Sequence, residues 1–352
     1  MILTPKQRLR RAIQRQPLDR LPTQINYTGA MGHKLAAHLG VPLAELPARL
    51  DNHLLRVNLS YPSRRREDGL VEYDWWGAGW STQTEGYWLA HAPLAQTRVL
   101  EEYAWPDPDH PYLLDEAQAM IARDGGQHFI VPNFGFCLFE RAWSLRGFET
   151  FLMELALEPA FAEDLLDRIT HIQVALARRF VALGVDGGYF GDDYGAQKGL
   201  LFSPHTWRTL FMPRLARMFA VFREADLPVI LHSDGDIGAI LPDLVEIGLT
   251  ALNPVQPEVL DHAWLKRTFG DRLAFYGGVS TQTVLPHGTP SQVSSAVRDC
   301  AQTLAADGTG LVLAPSHRLT ADIPVENIDV LLAAMAASGR LAQNSNSWAK
   351  GS

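Results

Sequence analysis

A chain of 352 residues, 47% hydrophobic and 20% charged, has apolar material for a large core and suits a protein folded in water. Its net charge of −8 leaves no basic surplus for a nucleic acid, and two cysteines, Cys137 and Cys300, exclude a disulfide scaffold. No apolar run approaches the ~20 residues of a membrane span, and the opening residues lack a signal peptide's apolar stretch, so a cytoplasmic protein is expected.

Thr4 and Pro5 open a helix, with Thr as N-cap and Pro at the first helical position, that ends near Gln16 and Pro17. A turn at residues 19–22 leads into a short strand from Thr23 to Tyr27. Residues 29–39 are helical and stop at Gly40. Residues 61–105 differ, because Trp75, Trp76, Trp80 and Trp88 crowd together with glycines. They predict a β excursion packed on aromatic rings, either a satellite hydrophobic cluster or the wall of a pocket for a flat apolar substrate. A proline-rich connector, residues 103–111, closes it.

From Asp115 onward helices and strands alternate. Strands are expected at 129–133, 188–193, 229–232, 251–255, 273–277 and 311–314. Helices are expected at 148–157, 159–183, 204–224, 237–247, 259–269, 290–306 and 324–337. The helix 159–183 shows a 3.6-residue apolar period in Leu165, Ile169, Ile172, Leu176 and Phe180. Such alternation means a parallel sheet, and a further strand is expected in the irregular first third. Neither G-x-G-x-x-G nor a Walker loop occurs where a nucleotide fold needs it. The expected architecture is therefore α/β, a (β/α)8 TIM barrel forming one domain over residues 1–340, with a polar C-terminal tail at 341–352.

Chemistry in a parallel barrel sits at the C-terminal strand ends. There the chain places Asn26 and Tyr27; Asn133; Asp192 and Asp193; His232 and Asp234; Asn253 and Gln256; Ser280 and Gln282; Ser316 and His317. His232 and Asp234 follow the apolar run Val229–Leu231. Two residues apart on extended backbone, they point to one side. They could hold a metal ion, act as an acid/base pair, or cap the next helix. His317 would complete a two-histidine, one-carboxylate set with an open fourth position, the pattern of catalytic zinc. Asp192 and Asp193 are adjacent and should point to opposite faces, one towards the mouth. Arg141 and Arg146 could bind a substrate carboxylate or lie on a helix surface.

Several of these stretches also resemble one family. GDDYGAQKGLLFSP (191–204), HSDGDI (232–237), NPVQP (253–257), GGVSTQ (277–282), APSH (314–317) and PVENI (324–328) resemble, in order, segments of the uroporphyrinogen decarboxylase superfamily. The opening residues 4–22 look like that family's start. The resemblance implies a (β/α)8 barrel and one of two activities. The first is metal-free decarboxylation of uroporphyrinogen. The second is zinc-dependent methyl transfer involving a corrinoid on a partner protein. Decarboxylases of the family carry an arginine-rich segment after the first strand, where this chain has QINYTGAMG (24–32) without arginine. The methyltransferases carry His-x-Cys where this chain has His232 and Asp234, and a later Cys or His where it has His317. Oxygen in place of sulfur makes such a zinc harder and a stronger Lewis acid.

The resemblance thus implies a methyltransferase-like enzyme that demethylates a small methyl ether or methylamine. Zinc would be held by His232, Asp234 and His317. Asp192 or Asp193 would position the substrate or a metal-binding histidine. Asn26, Tyr27, Asn133, Trp75, Arg141, Gln256 and Gln282 would line the substrate site. The expected partners are the small methyl donor and a corrinoid protein, with a homodimer left open. Metal-free decarboxylation of a tetrapyrrole or another acid is the alternative, and non-catalytic corrinoid or tetrapyrrole binding a second.

Overall fold

The computed structural model of the protein describes residues 2–83 and 85–341. Seven parallel strands form one curled sheet in chain order: β1 (Leu54–Val57), β2 (Phe129–Gly135), β3 (Gly188–Gly191), β4 (Val229–His232), β5 (Ala251–Asn253), β6 (Ala274–Val279) and β7 (Leu311–Pro315). The strand concealed in the first third is β1. It is only four residues long, and Arg56 interrupts its apolar run.

The strand expected from Thr23 to Tyr27 is not a full ladder. It is an extended segment with two parallel bridges, Thr23 to Leu313 and Tyr27 to Leu319. On its other side, side chains replace a backbone ladder. Asn52 pairs with both the amide and the carbonyl of Ile25 (2.7 and 3.0 Å), and Gln24 Oε1 accepts the amides of His53 and Leu54 (3.1 and 2.9 Å). The segment thereby links β7 to the start of β1.

Alternation along the strands sorts residues into two cores. Leu54, Val131, Tyr189, Ile230, Ala251 and Val312 face inward and share a cluster with Leu9, Ala12 and Ile13. Ile130, Phe190, Leu231, Leu252, Phe275 and Leu313 face outward into the layer of helices. The helix Pro5–Ile13 starts on a capping box between Thr4 and Gln7 and lies across the N-terminal end of the strands. Leu9 and Ile13 are buried there, and each contributes roughly 1.5–3 kcal/mol. On its polar side Arg8 makes a two-bonded ion pair with Asp19 and donates to Nε2 of the buried His53 (2.9 Å).

Residues 64–91 form a four-stranded antiparallel sheet, Arg64–Arg65, Val71–Tyr73, Gly79–Ser81 and Leu89–His91. Asp74 ties it to the rest of the molecule. One carboxylate oxygen accepts the amides of Trp76 and Ala78; the other accepts Trp80 Nε1 (3.2 Å) and Arg141 Nη1 (2.6 Å). Arg141 belongs to a helix, Phe139–Arg146, that the sequence reading did not anticipate. Its first amides, those of Phe139 and Glu140, are capped by Asp192, more than fifty residues away in sequence, so no local signal marks its start. No helix among the described residues is long and apolar enough to cross a membrane. Leu341 ends the last helix, Val325–Leu341, and the rest of the expected tail lies outside the described residues.

Candidate functional site

The inward alternation carries past the apolar layer and delivers polar side chains to the C-terminal mouth. Leu54 is followed two residues on by Arg56, Val131 by Asn133, Ile230 by His232, and Ala251 by Asn253. Ala314 faces inward and Ser316 follows it.

Asn253 fixes the state of His232. Its Nδ2 donates to the carbonyl of Tyr276 (3.1 Å), which leaves Oδ1 as acceptor for the Tyr189 hydroxyl (2.7 Å) and for His232 Nδ1 (2.7 Å). The imidazole proton therefore sits on Nδ1 and the lone pair on Nε2. Nε2 of His232 lies 3.8 Å from Asp234 Oδ1, and Nε2 of His317 lies 3.7 Å from Asp234 Oδ2. One donor atom from each of the three falls within 4.8 Å of the others. These gaps are too long for hydrogen bonds. They are slightly wider than the roughly 3.3 Å between two ligands of a tetrahedral zinc. Although its side chain is 40% exposed, desolvation at the mouth lowers the proton affinity of His317. The charges of His232, Arg318 and Arg56 add to that effect against the opposing pull of Asp234, so its lone pair is also available.

The loop holding Asp234 is locked from below. Its amide donates to Asp193 Oδ1 (2.8 Å), the Asp236 amide to the Ala196 carbonyl (2.8 Å), and the Tyr194 amide to Ser233 Oγ (3.1 Å). Gly235 has φ +81°, and a Cβ there would sit 2.5 Å from the Gly195 carbonyl carbon. Only glycine lets the two loops approach this closely.

The adjacent aspartates have separate surroundings. Asp193 lines the mouth. Burial and the Asp234 charge raise its pKa against the pull of His232. Asp192 is fully buried and accepts from Phe139 N, Glu140 N and the Tyr194 hydroxyl; burial still pushes it up to about 6. Its contacts are those of a helix anchor.

A cavity of about 670 Å³ occupies the mouth, bringing together Asn26, Tyr27, Asn133, Asp193, His232 and His317. Gln256 and Gln282 are elsewhere, in a chamber of about 250 Å³ on the other flank of Asp234 and His317. Trp75 and Arg141 line a third, of about 210 Å³. Asn58 and Asn133, joined by a 2.9 Å hydrogen bond, border both that chamber and the large cavity. The antiparallel sheet reaches the large cavity through Tyr87, whose ring meets Phe136 edge-on at 5.2 Å, with Trp80 against both. Arg146 pairs with the buried Glu154 and is not part of any of these chambers.

Sequence reasoning missed Arg56, Glu140 and Arg318, all of which line the large cavity. Arg56 had a signal, a lone cation in an apolar run. Arg318 had its position next to His317. Glu140 had none, because its helix was not anticipated. Burial, together with the Asp193 and Asp192 carboxylates, pushes the Glu140 carboxyl well above the ordinary range, which favours its protonated form.

Residues 93–337 match the uroporphyrinogen decarboxylase (URO-D) family. A methylated-thiol–coenzyme M methyltransferase of Methanosarcina mazei is 24% identical over 205 residues, covering 57% of this chain and 53% of that protein. The chain thus spans about half the length of that curated relative. A solved methyltransferase structure from Methanosarcina mazei superimposes with a TM-score of 0.73 over 95% of this chain and 99% of that one, at 21% identity, a likeness of fold.

Proposed function

The chain belongs to the uroporphyrinogen decarboxylase family, and on that premise we propose that it is a methyltransferase-like enzyme. In this reading it removes the methyl group of a small methyl ether or methylamine and passes it to a corrinoid carried by a partner protein. The observation that carries the reading is the convergence of His232, Asp234 and His317, with Asn253 holding the His232 proton on Nδ1. Two imidazole lone pairs and a carboxylate suit zinc, and the proton held away on Nδ1 fits a metal-bound imidazole. A zinc ion there would serve as a Lewis acid that makes the leaving heteroatom less basic.

The other roles belong to the chain's own residues. Asn26, Tyr27 and Asn133 offer hydrogen bonds that orient the donor beside the two histidines. Glu140, holding a proton in the same cavity, is placed to give it to a leaving oxygen or nitrogen. Tyr87 and Phe136 form an aromatic wall of the cavity. Asp193 acts through the Asp234 backbone and sets where that carboxylate sits. Residues 1–340 act as one catalytic unit in this scheme.

The test is elemental analysis of protein purified without chelator. About one zinc per chain is expected in the wild type and little in His232→Ala, which should stay folded because no core strand depends on that side chain. Wild type that takes up no metal even when zinc is supplied would sink the reading and favour metal-free decarboxylation of a carboxylic acid.

A further inference from the structure

Two arginines in the large cavity are not spent on the fold. Arg141 and Arg146, the cations that the sequence offered for a substrate carboxylate, are each committed to a carboxylate of the fold, the half-buried Asp74 and the buried Glu154. Arg56 and Arg318 are not. Among the described residues neither has an ion pair, and each lies over a phenol ring, Arg56 over Tyr189 (5.1 Å) and Arg318 over Tyr87 (5.4 Å). The electrostatic neighbours of Arg56 are the phenols of Tyr189, Tyr276 and Tyr87. The acids that share the cavity, Glu140 and Asp193, interact with one another and with the Asp234 loop instead. The cavity is therefore bipolar, with carboxyl groups towards β3 and β4 and guanidinium groups from β1 and the loop after β7. Both guanidinium charges are felt at His317, so they stand close to the three-residue cluster.

A partly buried guanidinium without a counter-ion is an unsatisfied charge, and the fork of Arg matches a carboxylate. We propose that Arg56 and Arg318 form an anion subsite of the large cavity, so that the methyl donor is a short molecule carrying a carboxylate at the end away from its methyl group. The subsite takes its place from the reading of the histidine–aspartate cluster as the reaction centre. Arg56, fixed on β1, sets the position of the carboxylate, and Arg318, next to His317, couples it to the cluster.

The probes are methoxyacetate and its uncharged counterpart methoxyacetamide, titrated into the full-length protein by calorimetry, first as purified and then after chelation. The acid should bind at least about tenfold more tightly than the amide in both states, as the loss of a charge-assisted contact implies. Arg56→Gln and Arg318→Gln should each erase most of that preference, and Arg56→Lys should keep part of it. No ion pair is broken by these changes, and circular dichroism checks that the variants fold. Equal binding of acid and amide, no binding of either, or a preference that survives both glutamine variants would overturn the subsite. Tighter binding of 2-methoxyethanesulfonate than of methoxyacetate would overturn the carboxylate assignment. The two proposals fail separately. Wild type that takes up no zinc even when it is supplied, yet keeps the acid preference, sinks only the metal, and a zinc-loaded protein without the preference sinks only the subsite.

Discussion

His53 shows how one residue's chemistry sets a measurable property of the whole. It is fully buried at the closed end of the sheet, with Nδ1–H directed at the Asp51 carbonyl (2.8 Å) and Nε2 accepting from Arg8 (2.9 Å). A second ring proton would face a guanidinium. Burial, opposed by the pull of Asp51 and aided by the charges of Arg20 and Arg8, holds its pKa at about 4 against an ordinary 6.5. Between those values the unfolded chain takes up a proton that the folded chain refuses. Stability should therefore fall as pH drops from about 6.5 to about 4, by at most about 3 kcal/mol, and this contribution should level off below that. Urea denaturation across the window measures it, and His53→Gln, which can still accept from Arg8, should flatten the slope. A slope left unchanged by His53→Gln would show that His53 is not buried neutral. At this scale the sequence was only partly legible. His232, Asp234 and His317 stood out because polar residues ended apolar runs. The capping task of Asp192 did not, since its partners Phe139 and Glu140 are distant in sequence.

Among the elements, the antiparallel sheet depends most on a single charge. Asp74 serves two backbone amides, the Trp80 indole and Arg141 at once, while both members of the ion pair are largely shielded from water. Arg141 has no second ion pair among the described residues, and its Nε is already without a partner. Asp74→Ala should thus cost about 3–5 kcal/mol, the usual penalty for stranding a buried charge. Asp74→Ala with Arg141→Met should recover much of it. Thermal melts of the three proteins test this, and a double variant no more stable than the single one would show that the amide contacts matter more than the pair. Legibility differed by element for a physical reason. The helices around β3 to β7 are long and periodic, so tertiary packing agrees with local pattern. β1 and the segment 23–27 are short and held by side chains such as Asn52 and Gln24, which leave no periodic trace.

For the whole molecule, the balance of charge in the cavity decides which substrates are refused. Uroporphyrinogen presents several carboxylates, and each one buried needs a cationic partner. Residues 24–32 contribute no arginine, and the large cavity offers Arg56 and Arg318 alongside the acids Glu140 and Asp193. Conversion of uroporphyrinogen to coproporphyrinogen should therefore be undetectable under conditions where the protein is folded. Turnover at an ordinary enzymatic rate, followed by porphyrin fluorescence after oxidation, would contradict this. The parallel architecture was readable from alternation alone, because each strand's apolar run and each helix's period reported the same two-layer packing. The arrangement of three chambers was not, since it depends on which side chains meet across the mouth.

The helix Pro5–Ile13, seated across the far end of the sheet, has a kinetic consequence. With that end sealed by Leu9, Ala12 and Ile13, the large cavity is served from the mouth, where Tyr87 and Arg318 stand. In the proposed reaction, a small donor and a macromolecular acceptor would then share one doorway. A partner that docks first would bar the donor's entry, and one that docks second would seal the donor inside. Turnover should follow a compulsory order, donor before acceptor, with an excess of acceptor acting as an inhibitor that added donor relieves.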